Sequence, residues 1–163
     1  MEIKKEQTNK TQLISEKCQT LINDYHTFAL YAKAFTERAV QFFEDNGIFT
    51  LSVFDRPIKR VYYYTKAVPN STYCANDIEV HWENFGDPFI ELLNIYYEQL
   101  DVVKELFEES VRTFDPIAMN IALSLAEYQR HSITELTDCK KIIESKLDDG
   151  VKIIELRKLM NTW

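Results

Sequence analysis

From Leu13 to Phe43 the chain contains no glycine or proline, and its apolar residues return every three or four positions: Leu13, Ile14, Cys18, Leu21, Ile22, Tyr25, Phe28, Ala29, Ala32, Phe35, Ala39, Val40, Phe42 and Phe43. That spacing paints one wide apolar stripe along a continuous helix of about nine turns. Asn46 and Gly47, which both tolerate the left-handed conformation, supply its stop. A helix of this kind is stable chiefly through what packs on its stripe. The first demand of the sequence is therefore for further helices. The stripe is wide enough that a second copy or a partner is expected to cover part of it.

The second half supplies those helices. Asp87-Pro88 and Asp115-Pro116 each set a carboxylate before a proline, and this predicts a capping side chain followed by proline at the first helical position, where its missing N–H costs nothing. The first predicted helix carries Ile90, Leu93, Tyr97, Leu100, Val103, Leu106 or Phe107, and Val111. The second carries Ile117, Ile121, Leu125, Tyr128, Ser132, Leu136, Cys139, Ile143 and Leu147. Only Thr113 and Phe114 separate them, so the two are expected to form an antiparallel pair. Asp148, Asp149 and Gly150 break the pattern, and Val151, Ile153, Ile154, Leu156, Leu159 and Met160 predict a shorter last helix ending at Trp163.

Between Gly47 and Gly86 the period changes. Ile48, Phe49, Leu51 and Val53, then Val61, Tyr62, Tyr63 and Tyr64, are β-branched or large and apolar, and Asp55-Arg56-Pro57 gives turn chemistry between them. A small hairpin is expected, then a loop around Pro69 and Asn70 and a third extended piece from Ile78 to Trp82. The predicted fold is mainly α: one domain over 1–163, a bundle of three long helices and a short C-terminal helix, with a small β-hairpin or extended insertion at 48–86. Residues 1–10, MEIKKEQTNK, are polar and aperiodic, and should fray unless a partner holds them.

Composition narrows the function classes. With 26 acidic and 19 basic residues the net charge is −7, and no Lys/Arg-rich run exists to neutralise phosphates, which disfavours direct binding to nucleic acid. No segment approaches the roughly 20 apolar residues of a membrane span, and no charged start followed by an apolar stretch marks a leader. A cytoplasmic protein is expected. Cys18, Cys74 and Cys139 have no C-x-x-C spacing and suit free thiols in a reducing compartment.

Little in the sequence points to catalysis. His26, His81 and His131 are the histidine bases on offer, none within a G-x-S-x-G or Cys–His signature, and three glycines are too few for a phosphate-cradling loop. Glu127 and His131, at i and i+4, share a helix face where they could hold a metal ion. Set against that is an ordinary exposed pair worth a few tenths of a kcal/mol, flanked by Arg130 and Glu135. Glu91 and Glu98 lie two turns apart on the preceding helix, and one of them could face Glu127 or His131 to complete a carboxylate–histidine cluster of the sort that binds iron or manganese. The tyrosines Tyr62, Tyr63 and Tyr64, with Tyr73 and Trp82, offer large contact area at low entropy cost, because strand alternation cannot turn all three consecutive rings inward.

From Trp82 to Leu147 the order of features resembles the last two main helices of the ferritin-like superfamily. HWENFGDPFIELLNIYYEQLDVVKEL is similar to its tryptophan-containing loop and glutamate-bearing helix. FDPIAMNIALSLAEYQRHSITEL is similar to its Asp-led turn and final bundle helix. The resemblance implies a shared fold, with Glu98 in the first metal role and Glu127 with His131 in the second. The E-x-x-H motifs of that superfamily are absent: Ala34-Phe35-Thr36-Glu37-Arg38 ends in arginine, and the third long helix has E-x-x-x-H. The expectation is a non-catalytic protein without a cofactor, binding another protein or a second copy in a regulatory, inhibitory or assembly role through helical faces and the aromatic insertion. The alternative is a ferritin-like metal carboxylate protein with a degenerate iron or manganese site.

Overall fold

The computed structural model describes residues 14–48, 78–160 and 162. Four helices follow in order: α1 (Glu16–Asp45), α2 (Asp87–Arg112), α3 (Pro116–Ile143) and α4 (Asp149–Met160). Three long helices and a short last one match the sequence expectation. No strand occurs among the described residues, and the expected hairpin and the frayed residues 1–10 lie outside them. Ile78 to Glu83 run without regular structure.

The helix ends show why the elements begin and stop where they do. Ser15 caps α1, its Oγ accepting from the Cys18 N–H at 3.4 Å, and Gly47 closes that helix with φ 65°. Asp115 caps α3 by accepting from the Ala118 N–H at 3.1 Å. Its other carboxylate oxygen accepts from the Ser15 N–H at 2.8 Å, so one side chain pins the starts of α1 and α3 together.

Asp87 departs from expectation. It is the first residue of α2, Gly86 takes the capping position without a side-chain cap, and the Asp87 carboxylate turns back to accept from the N–H groups of Glu83 and Asn84 at 3.1 and 3.0 Å. The same carboxylate chemistry thus organises the approach to the helix instead of its first turn. Gly86 is itself fixed by packing: a Cβ there would lie 2.5 Å from Cγ2 of Ile143, because the end of α3 crosses the start of α2.

At the other end of the antiparallel α2–α3 pair the chain turns through Thr113 and Phe114. The Phe114 N–H donates to Val111 O at 3.2 Å and the Asp115 N–H to Ser110 O at 2.8 Å. These are the paired bonds of a Schellman closure, with Phe114 at the left-handed position, φ 51°.

Lys17 lies beside Glu109 and Phe43 stacks near Phe89, so α1 runs antiparallel to α2; Ser15 and Asp115 make it parallel to α3. Two buried clusters result. Cys18, Leu21, Ile22 and Tyr25 meet Val103, Leu106, Ala118, Ile121, Ala122 and Leu125 near the α2–α3 turn. Phe35, Ala39 and Phe43 meet Phe89, Leu92, Leu93, Tyr96, Leu136, Cys139 and Leu156 at the far end. There α4 joins the bundle, with Leu156 fully buried, Arg157 donating to Ile48 O at 3.0 Å and Lys152 to Ile143 O at 2.8 Å.

The stripe of α2 keeps Leu93, Val103 and Leu106 as expected, and departs by one position in the middle, where Tyr96 and Gln99 are buried. Tyr96 is buried while Tyr97 and Val111 are about half exposed. Ile117 of α3 is likewise exposed, and Leu147, expected on the same helix, lies exposed beyond its end at Ile143. A one-residue step on a helix is 100°, enough to move a ring from core to solvent.

Candidate functional site

The three residues proposed for a metal site are not brought together. Glu127 is exposed on α3 and Glu98 is exposed on α2. His131 has 65% of its side chain in solvent and places Nε2 at 2.9 Å from Glu135, an i,i+4 partner in the direction opposite to Glu127. Among the described residues no group of three or more His, Cys, Asp or Glu could hold a metal ion. Glu91 has a different occupation: its Oε2 accepts the Trp82 indole N–H at 2.9 Å.

Of the aromatic residues proposed for recognition, Tyr62, Tyr63, Tyr64 and Tyr73 lie outside the described residues. Trp82 is described and partly buried. Its ring stands edge-on to Phe35 and Phe42 of α1, with centroid distances of 5.3 Å to each, and Glu91 fixes its polar edge. Such edge-to-face pairs add roughly 0.5–1.5 kcal/mol beyond area burial. Trp82 therefore clasps the chain entering α2 onto α1.

The centre of the bundle holds a polar cluster that patterning missed. Gln129 of α3 is fully buried; its Oε1 accepts from the Tyr25 hydroxyl at 3.1 Å, and its Nε2 donates to Tyr96 O at 2.8 Å and to Gln99 Oε1 at 3.1 Å. Gln99, also fully buried, donates to Tyr25 O at 3.4 Å. Two amides and a phenol thus tie all three long helices at one level. The two amides carry no charge, and burial holds the neighbouring Tyr96 phenol well above its ordinary range, with Tyr128 and Tyr25 adding to it. The hydrogen bonds of the amides and the Tyr25 phenol run to one another and to the backbone carbonyls of Tyr25 and Tyr96, which suits setting helix register better than binding an ion. The available signal was geometric, since Gln99 and Gln129 each stand fifteen residues from Phe114, and residues equidistant from a tight helical turn meet across the hairpin.

Burial shifts two further ionisable side chains of the interior. His26 is 2% exposed and burial lowers its pKa. Burial, aided by Asp138 and Glu135, pushes the Cys139 thiol up to about 12, so it stays protonated and is no nucleophile at neutral pH. Near the α2–α3 turn, Arg112 donates from both Nε (2.9 Å) and a terminal nitrogen to Glu109, holding that carboxyl below its ordinary range, and Lys17 reinforces it from α1.

Two surface features stand out. The first is the α2–α3 turn, where Phe114 is 81% exposed and Phe107, Val111 and Ile117 are also exposed nearby in the chain. The second is a groove of about 510 Å³ between α1 and α2, with Phe28, Tyr31, Ile95 and Val102 along it and the carboxylates of Asp24 and Glu98 at its edge. No helix among the described residues is long and apolar enough to cross a membrane. No protein-family model, curated protein or solved structure matches the chain.

Proposed function

We propose that this chain is a non-catalytic protein that binds another protein in a regulatory, inhibitory or assembly role, using helical faces together with the aromatic segment that follows α1. One observation carries the reading: Phe114. A bulky side chain in the left-handed region costs roughly 1–2 kcal/mol, and glycine closes most turns of this type. Phe114 accepts that cost and then leaves 81% of its surface in water. Neither packing nor backbone geometry is served by phenylalanine there. An exposed aromatic held in a strained turn has the properties of an interface anchor, which stays rigid and offers much contact area.

The test separates function from folding. Phe114→Gly relieves the backbone and should leave the urea midpoint unchanged or higher. Capture of the partner from the source cell, quantified by mass spectrometry, should fall at least tenfold, as it should for Tyr63→Ala or Tyr64→Ala. Leu123→Ser, at an exposed apolar position on α3, serves as the control. Capture that is equal for Phe114→Gly and the control would remove the role of the turn.

A further inference from the structure

The groove between α1 and α2 points to a more specific occupant, and we infer that it receives a basic amphipathic helix of a partner protein. This rests on the protein-binding reading above but uses a different surface. Asp24, Phe28 and Tyr31 line one wall from successive turns of α1, and Ile95, Glu98 and Val102 line the other from α2. These positions flank the buried stripes Tyr25–Ala29–Ala32 and Tyr96–Gln99–Val103. The groove is therefore an outer seam of the bundle, running about 10 Å along α1, or roughly two helical turns.

The chemistry of the lining selects the partner. Phe28, Tyr31, Ile95 and Val102 ask for an apolar stripe. Asp24 and Glu98 are exposed, and neither has an ion pair or hydrogen bond among the described residues. They leave two negative charges beside the apolar lining for Lys or Arg to meet. A helix is favoured over an extended peptide because two antiparallel helices offer ridges and grooves to another helix, whereas the described residues offer no strand edge to pair with an extended backbone. A second copy is a poorer fit, since the chain carries a net charge of −7.

The experiment uses the full chain, isotope-labelled, and a synthetic peptide of about five helical turns with leucine on one face and lysine on the other. Amide shifts on titration should concentrate on residues 24–31 and 95–102. Calorimetry should show affinity falling at least about tenfold in the double variant Asp24→Lys/Glu98→Lys, since attraction at two rim sites becomes repulsion. Affinity should also fall as salt rises from about 50 to 300 mM, as expected for exposed charges. Both substitutions are at exposed positions, and an unchanged urea midpoint will show that the fold is intact. Shifts centred elsewhere, equal binding of a glutamate-for-lysine peptide, or equal binding by the double variant would overturn the assignment. Shifts at these residues that depend on protein concentration alone would overturn it in favour of self-association. Loss of capture in Phe114→Gly with the peptide failing at the groove would sink the groove alone. Peptide binding at the groove with capture unaffected by Phe114→Gly would sink the role of the turn alone.

Discussion

Replacing Gln129 by methionine keeps the length and helix propensity of the side chain while removing its amide. In the bundle, that amide is the acceptor for the Tyr25 hydroxyl and the donor to Gln99 Oε1 and Tyr96 O. Tyr96 O keeps its own helical bond, so the cost falls on the phenol and the Gln99 carbonyl, both deprived of this partner inside the core. Depriving a buried polar group of a partner costs about 1–3 kcal/mol, which gives about 2–6 kcal/mol for the pair. Easier burial of the thioether offsets part of this, leaving about 3 kcal/mol. With a urea slope near 2 kcal/mol/M, the midpoint should drop by about 1.5 M. The triple variant Tyr25→Phe/Gln99→Met/Gln129→Met removes the phenol and both amides together and should return to within about 1 kcal/mol of the starting protein, because exchanging hydrogen-bonded partners for apolar groups of similar shape is close to neutral. Urea titration followed by far-ultraviolet circular dichroism measures both. If Gln129→Met alone stays within about 0.5 kcal/mol, or the triple variant is as unstable as the sum of its singles, the cluster does not tie the helices as described.

Two further outcomes follow from the same interior. Gly86→Ala should destabilise by about 1–3 kcal/mol, since the new methyl meets Ile143 Cγ2 at 2.5 Å, and Ile143→Ala in the same chain should recover part of the loss, which thermal unfolding will show. His26 should make stability depend on pH near neutrality: burial lowers its pKa from the ordinary 6.5, so below that pH the unfolded chain takes up a proton that the folded chain resists. Stability is then full above 6.5, falls as pH drops through it, and levels off once the buried ring itself titrates; His26→Gln should flatten the difference in urea midpoint between pH 7.5 and 6.0.

Periodicity and punctuation carried the elements of this fold. An uninterrupted apolar repeat gave α1, Gly47 stopped it, and the two Asp-Pro pairs located the starts of α2 and α3 to within one residue. What punctuation does not contain is the target of a side chain. Asp87 and Asp115 stand before proline in the same local sequence, yet Asp115 caps forward because Ser15 and Ala118 present N–H groups to it, while Asp87 accepts backward from Glu83 and Asn84. Of these donors only Ser15 arrives from tertiary structure; the others are local N–H groups set forward or backward by the path of the chain before each helix, so the same dipeptide yields two roles.

The candidate metal residues show the same division between axial level and face. Glu98 lies one position from Gln99, and Glu127 and His131 lie two positions on either side of Gln129, so the sequence placed them at the right height in the bundle. Height follows from counting residues from the turn, and it is legible without coordinates. Facing direction depends on which of Tyr96 and Tyr97 enters the core, and both are equally apolar to a pattern. The structure buries Tyr96, which brings Gln99 inward three residues later and turns Glu98 out to the α1–α2 groove. A single step of helix phase there puts Gln99 where Leu100 would have been, and leaves Glu98 on a surface where its charge meets solvent or a partner. Choosing the phase from sequence would have required treating Gln99 and Gln129 as a matched buried pair, a reading that overrides the usual preference of glutamine for the surface but is consistent with the rule that buried polar groups are hydrogen-bonded.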